Sequence, residues 1–271
     1  MKIAVTGRGG VGKTTLTSLL AYTLAAQGHT VLAVDADPAP SLGAALGFPH
    51  ETLRELSPIA GMKELIAERT GARPGDYGNY FKLNPRVDDI PDRFSVTHRG
   101  ILLLQLGAVE KGGAGCICPE STLLKSLVGH ILLDRSEVVL LDLYAGVEHL
   151  GRATAESVDA MLVVTEPTVR SLTTAAQIRD LAGDIHLERL FLVGSKTEGE
   201  ADRDFIAERS PGLPVLGHLS FEPQVREADR SGRTVYDLSP TLAAETEGII
   251  SALRRELRME PARRENKIPA E

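Results

Sequence analysis

A surplus of basic residues is missing from this chain, and with it the first requirement of a protein that binds polyanions. Its 271 residues carry 30 Lys and Arg against 37 Asp and Glu, a formal net charge of -7. Phosphate backbones are held by clustered cations, so this balance disfavours nucleic acid as a partner. Long apolar runs are missing too: stretches such as 138–141 and 161–164 fall far short of the roughly 20 residues that cross a bilayer. No membrane span is expected. The opening MKIAVTG has no charged segment followed by an apolar one, which argues against secretion and predicts a cytoplasmic protein. Cysteine is scarce, with two residues, Cys116 and Cys118. A pair so close in sequence reads as a metal or redox element before it reads as a fold staple. Internal repeats and low-complexity segments are absent as well.

What the chain does have is 42% hydrophobic residues, arranged in short runs: KIAVTG, TVLAVDAD, ILLLQLG, EVVLLDL, AMLVVTEP, RLFLVGSK and LPVLGHL. Runs this short and uniformly apolar suit strands covered on both faces, as in parallel sheets. Helix-length segments such as 16–26 and 172–182 lie between them. The pattern predicts an α/β fold, a doubly wound and mostly parallel sheet of about seven strands with helices on both faces. Ligands are expected at the carboxyl ends of the strands. One domain over residues 1–258 is predicted, interrupted at 71–97 by a stretch rich in Gly, Pro, Asn and Asp that carries Tyr77, Tyr80, Phe81 and Phe94. A long excursion of this kind is a surface insertion, either a docking surface or a lid. Residues 259–271 lose periodicity and read as a polar tail.

The segment GRGGVGKTT fits G-x-x-x-x-G-K-[ST], with Gly7, Gly12, Lys13 and Thr14 at the fixed positions. It follows a strand and opens a helix, which is the context the motif requires. Backbone N–H groups of Gly9, Gly10, Val11, Gly12, Lys13, Thr14 and Thr15 are expected to cradle the phosphates of ATP or ADP. Lys13 reaches the β- and γ-phosphates, and the Thr14 hydroxyl can ligate Mg²⁺. Two further strand ends carry carboxylates: DADP holds Asp35 and Asp37, and EVVLLD ends at Asp142. Asp35 and Asp37 are candidates for orienting the attacking water or the metal's water shell, although acidic residues also cap turns before proline. Asp142 has the apolar-run-then-Asp form of a carboxylate that holds Mg²⁺. Gly146, Glu148 and His149 follow in a candidate switch segment.

With these residues in view the chain resembles the deviant Walker-A ATPases, which include MinD and ParA proteins and the nitrogenase iron protein. Within that group it is similar to the CooC-type accessory ATPases for nickel insertion into carbon monoxide dehydrogenase. The features that carry the likeness are GRGGVGKTT, DADP, YFKLNPRVDDIP, GCICPE, and LLDLYAGVEHLGR followed by TEP. The resemblance implies an ATP-dependent homodimer with two phosphate loops face to face, and carbon monoxide dehydrogenase as client. It also implies a catalytic set of Lys13, Asp37 and Arg8, with Arg8 standing where the group usually carries a signature lysine. Arginine keeps the charge but is not interchangeable with lysine. Ser195-Lys196 stands where the group's adenine-reading pair is usually Asn-Lys, and Glu222 stands in the base-side loop where Asp is more usual.

Cys116 and Cys118 lie in the glycine-rich GGAGCICPE, just before an expected helix. Soft thiolates suit Ni²⁺ or Zn²⁺, but a closed tetrahedral site takes four ligands. Two chains supply four, so the resemblance implies a site shared across the dimer. Two other functions stay open at this stage. A positioning ATPase like MinD or ParA would want a membrane helix or a basic patch, and the sequence has neither. An iron-sulfur reductase would want a cysteine in the segment after Asp142, where LYAGVEHLG has none.

Overall fold

In the computed structural model, which describes residues 1–73, 80–107, 118–133, 137–144, 158–210 and 212–259, every one of the seven apolar runs is a strand. In chain order the strands are β1 (Lys2–Gly7), β2 (Val31–Ala36), β3 (Val96–His98), β4 (Ile101–Gln105), β5 (Val138–Leu143), β6 (Ala160–Thr165), β7 (Leu190–Thr197) and β8 (Val215–Ser220). They form one sheet in the order β3-β4-β2-β5-β1-β6-β7-β8. All pairings are parallel except that of β3 with β4. Every residue of β1, β2, β5 and β6 is buried. That double coverage is why these runs are apolar without alternation.

The two faces are nonetheless distinct, because successive side chains of a strand point to opposite sides. Leu32 and Val34 of β2 join Leu104, Leu141 and Met161 against Leu123, Leu127 and Ile131 of the helix Pro119–Leu133 and Ile178 of the helix Val169–Asp184. Val31 and Ala33 join Ile3, Val5 and Leu140 against Leu16, Leu19 and Leu20 of the helix Lys13–Ala26 and Ile250 and Leu253 of the helix Pro240–Met259. Helices therefore cover both sides, as the pattern predicts. No described helix is long and apolar enough to cross a membrane.

The strand count is eight rather than seven. The additional strand, β3, has three residues, too few for a periodicity to register. It pairs antiparallel with β4 through a two-residue turn, Arg99-Gly100, with φ of 50° and 82°. Both turn residues are left-handed, as the hairpin turn that matches strand twist requires. Arg in place of Asn or Asp hides that signal in the sequence.

The stretch 71–97 is also less of an excursion than its composition suggests. Val87 and Ile90 are buried in the core, and Phe94 packs against it. Asp89 accepts hydrogen bonds from Arg69 at 2.8 Å and Arg93 at 2.9 Å. Tyr80 and Leu83 stand fully or largely exposed. Tyr77 lies outside the described residues, as does the tail from residue 260.

Chain direction across the sheet reverses at β1. The strands β5, β2 and β4 lie to one side of it and β6, β7 and β8 to the other. Such a switch point leaves a crevice at the strand ends. Registry then decides which residues meet there: Asp142 pairs with Val5 on one side and with Asp35 on the other.

Candidate nucleotide site

β1 ends at Gly7, where an added Cβ would lie 2.4 Å from the Val164 carbonyl oxygen of β6. No side chain fits there, so the loop leaves the sheet pressed against its neighbour. Val11 N–H donates to the Arg8 carbonyl at 3.4 Å, closing a turn whose exposed tip is Arg8, Gly9 and Gly10. Gly12 has φ of 99° and precedes the helix Lys13–Ala26. Among the described residues no side chain caps that helix, and its first turn has no acidic residue. The unpaired N–H groups and the positive end of the helix therefore remain available to an anion. Lys13 is buried, while Thr14 and Thr15 are half-buried.

The carboxylates sort into different tasks. Asp35 is fully buried and accepts backbone N–H bonds from Asp37 at 3.1 Å and from Ser41 and Leu42 at 2.9 Å each. Burial raises its pKa, against those three bonds. Both its oxygens are thus engaged in shaping the loop after β2. Asp37 stands on that loop, half-buried, and accepts the Ala39 N–H at 2.9 Å.

Asp142 is different. The Thr14 hydroxyl donates to its Oδ2 at 2.6 Å, and the Ser41 hydroxyl lies 3.3 Å from that of Thr14. Its other oxygen, Oδ1, is buried with no hydrogen-bond partner among the described residues. Burial pushes the Asp142 carboxyl up to about 7, reinforced by the charges of Asp35 and Asp37 and opposed by Thr14 and Lys13. An orphaned carboxylate oxygen beside a hydroxyl is a donor set for a hard divalent cation. The residues present fit Mg²⁺.

On the other side of the loop stand the residues expected at the base. Ser195 is buried, and a Cβ on Gly12 would come within 2.9 Å of its Oγ. The Lys196 ammonium donates to the Gly10 carbonyl at 2.7 Å and pairs with Glu166. Glu222 is half-buried at the end of β8, next to Phe221, whose N–H donates to the Thr197 carbonyl at 3.0 Å. Neither Ser41 nor Glu166 stands out in the sequence. Ser41 has no motif around it, and Glu166 is marked merely as part of TEP after an apolar run.

Cys118 sits half-buried at the start of the helix Pro119–Leu133, where Ser121 N–H points at its sulfur from 3.4 Å and Thr122 N–H reaches its carbonyl at 3.0 Å. The expected place at a helix N-terminus is observed. Cys116 lies outside the described residues, as do Gly146, Glu148 and His149. No group of three potential metal-ligating side chains occurs among the described residues.

Residues 2–235 match the model of the CobQ/CobB/MinD/ParA nucleotide-binding domain. The chain belongs to this family. Among family relatives, the carbon monoxide dehydrogenase accessory protein CooC of Rhodospirillum rubrum is 46% identical over 253 residues, 93% of this chain and 96% of that one. An uncharacterized ATP-binding protein of Methanocaldococcus jannaschii is 42% identical over 254 residues, again 93% and 96% of the two chains. Solved structures share the fold. MinD of Aquifex aeolicus gives a TM-score of 0.64 at 21% identity, covering 96% of this chain and 98% of its own. A ParA family ATPase of Chlorobium tepidum gives 0.65 at 18%, covering 93% and 97%. This family member is a P-loop ATPase of the CooC-like, deviant Walker-A kind, and ATP or ADP with Mg²⁺ is its ligand.

Proposed function

We propose that the chain is a metallochaperone ATPase that works in the cytoplasm as a nucleotide- and metal-dependent homodimer and assists nickel insertion into the active-site cluster of carbon monoxide dehydrogenase. The observation that carries this reading is the 46% identity to CooC of R. rubrum across 93% of the chain. One domain, residues 1–258, does the work.

In this reading the backbone from Gly9 to Thr15 cradles the phosphates, and Lys13 neutralises charge on the β- and γ-phosphate oxygens. Thr14 and Asp142 hold Mg²⁺, which when bound supplies further positive charge to those oxygens. Asp37 orients the attacking water, and Asp35 holds Asp37's loop in place through the Asp37, Ser41 and Leu42 amides. Arg8, exposed at the loop tip, reaches the nucleotide of the other subunit. Ser195, Lys196 and Glu222 flank the base side. Cys116 and Cys118 of two chains supply four thiolates to the cargo ion, Ni²⁺ or Zn²⁺, which is the number a tetrahedral site takes.

Metal analysis of protein purified without oxygen, with and without ATP, tests the proposal. A content near one nickel or zinc per two chains, with no iron and no acid-labile sulfide, is the expected result for a shared thiolate site. Protein that takes up neither nickel nor zinc would overturn the metallochaperone reading. A coloured iron-sulfur chromophore would replace it with a redox one.

A further inference from the structure

Lys196 has φ of 57°, in the left-handed region that side chains other than glycine seldom enter. It also lies where the register between β7 and β8 shifts, between Ser195 and Thr197. A bulge of this kind re-aims a side chain, and strained backbone held at a ligand loop invites a functional account. Here the re-aimed ammonium meets the Gly10 carbonyl at 2.7 Å and the Glu166 carboxylate, and the preceding Ser195 packs against Gly12. Two consecutive residues of β7 thus touch two glycines of the phosphate loop.

Among the described residues the loop tip has little else to hold it. Arg8, Gly9 and Gly10 are exposed, and a Cβ on Gly9 or Gly10 would meet nothing within 4 Å among the described residues. A glycine-rich segment without packing samples many peptide orientations, and ordering it on binding costs affinity. A charge-assisted hydrogen bond to the Gly10 carbonyl restricts that peptide before ligand arrives. We propose that Lys196, anchored by Glu166, is a positioning residue that pre-shapes the phosphate loop and does not read the nucleotide's base.

The proposal rests on residues 7–15 being a phosphate cradle, and inorganic tripolyphosphate, which has neither base nor ribose, separates the two ideas. Binding of ATP and of tripolyphosphate is measured for wild type, Lys196→Met, Lys196→Arg and Glu166→Gln, each checked for an unchanged melting curve. Wild-type protein that binds neither ligand would defeat the cradle reading itself. With wild-type binding in hand, Lys196→Met is expected to weaken both ligands by the same factor, about tenfold, the effect of losing one charge-assisted bond. Lys196→Arg should recover part of that loss. The loss should persist at about 0.5 M salt, where attraction between separated exposed charges is screened.

Glu166→Gln decides by sign. It removes a negative charge near the phosphates, so simple electrostatics predicts tighter binding, whereas loss of the anchor predicts weaker binding. Tighter binding in Glu166→Gln, or a Lys196→Met defect confined to ATP, overturns the proposal. So does unchanged binding of both ligands. Because Lys196 is 44% exposed and Glu166 21%, neither substitution opens the core.

Discussion

Substitutions at Lys13 and Asp37 test the proposed division between binding and chemistry. Lys13 is buried at the start of its helix with no ion pair among the described residues. Lys13→Ala should abolish ATP turnover and most nucleotide affinity, because the loop loses its main neutralising charge. Asp37 is half-buried on the neighbouring loop. Asp37→Ala should still bind a fluorescent ATP analogue while phosphate release falls by about a hundredfold or more, since placing water matters to the reaction alone. Normal turnover in that variant would make Asp37 a turn residue. Asp142 yields a pH prediction. Its carboxyl is raised from 3.8 to about 7 by burial, so between those values the folded, metal-free protein holds a proton the unfolded chain has released. That contribution to stability is present below pH 3.8 and is lost as pH rises through about 7. Asp142→Asn should therefore stabilise the metal-free protein at pH 8, by roughly 2 to 4 kcal/mol, while abolishing its gain in melting temperature from Mg²⁺ and ADP. Equal melting points for variant and wild type across pH 5 to about 8 would contradict this account.

The phosphate loop, as an element, uses its glycines for two different reasons, and substitution should tell them apart. Gly7 abuts the Val164 carbonyl, a backbone atom that cannot step aside, and its φ is 147°. Gly7→Ala should destabilise the protein by about 2 kcal/mol or more in urea denaturation, through overpacking and strain. At Gly9 an added Cβ meets no atom of the described residues within 4 Å. Gly9→Ala should leave stability within about 0.5 kcal/mol yet weaken nucleotide binding, since the new methyl crowds a ligand rather than the fold. If Gly9→Ala proves as unstable as Gly7→Ala, packing and not the ligand explains that glycine. Strand and loop of this element were readable because their requirements are local: an apolar run, fixed glycine spacing, then a helix. The β3–β4 hairpin was not, because its turn relies on Arg99 in a left-handed conformation that composition does not announce. The burial of Val87 and Ile90 was equally hidden, since Pro and Asp around them mark a break in periodicity whether or not the chain returns to the core.

Over the whole molecule the proposed pairing of two chains is testable through the thiols. With Cys116 and Cys118 both replaced by Ser, soft-metal binding should collapse, because a hydroxyl is harder and far less acidic than a thiol. ATP binding to each chain should survive. A ligand that binds the paired state alone stabilises it by mass action, so wild type should pair in sedimentation with either ATP or Ni²⁺ or Zn²⁺, and the variant with ATP alone. Pairing of the variant driven by metal would remove the cysteines from the site. The sequence by itself determined seven strands of the sheet, because strands buried on both faces must be apolar throughout, and the phosphate loop, because its glycines answer to backbone geometry over a few residues. Asp35 and Asp142 both end apolar strands, so the run-then-Asp form that marks Asp142 fits Asp35 as well. The sheet sets them side by side, and among the described residues one accepts three backbone amides while the other keeps an orphaned oxygen. Lys196 meets Gly10 across 186 residues. Contacts of that span depend on strand order and register, which periodicity along the chain does not encode, and so the tertiary structure alone decided them.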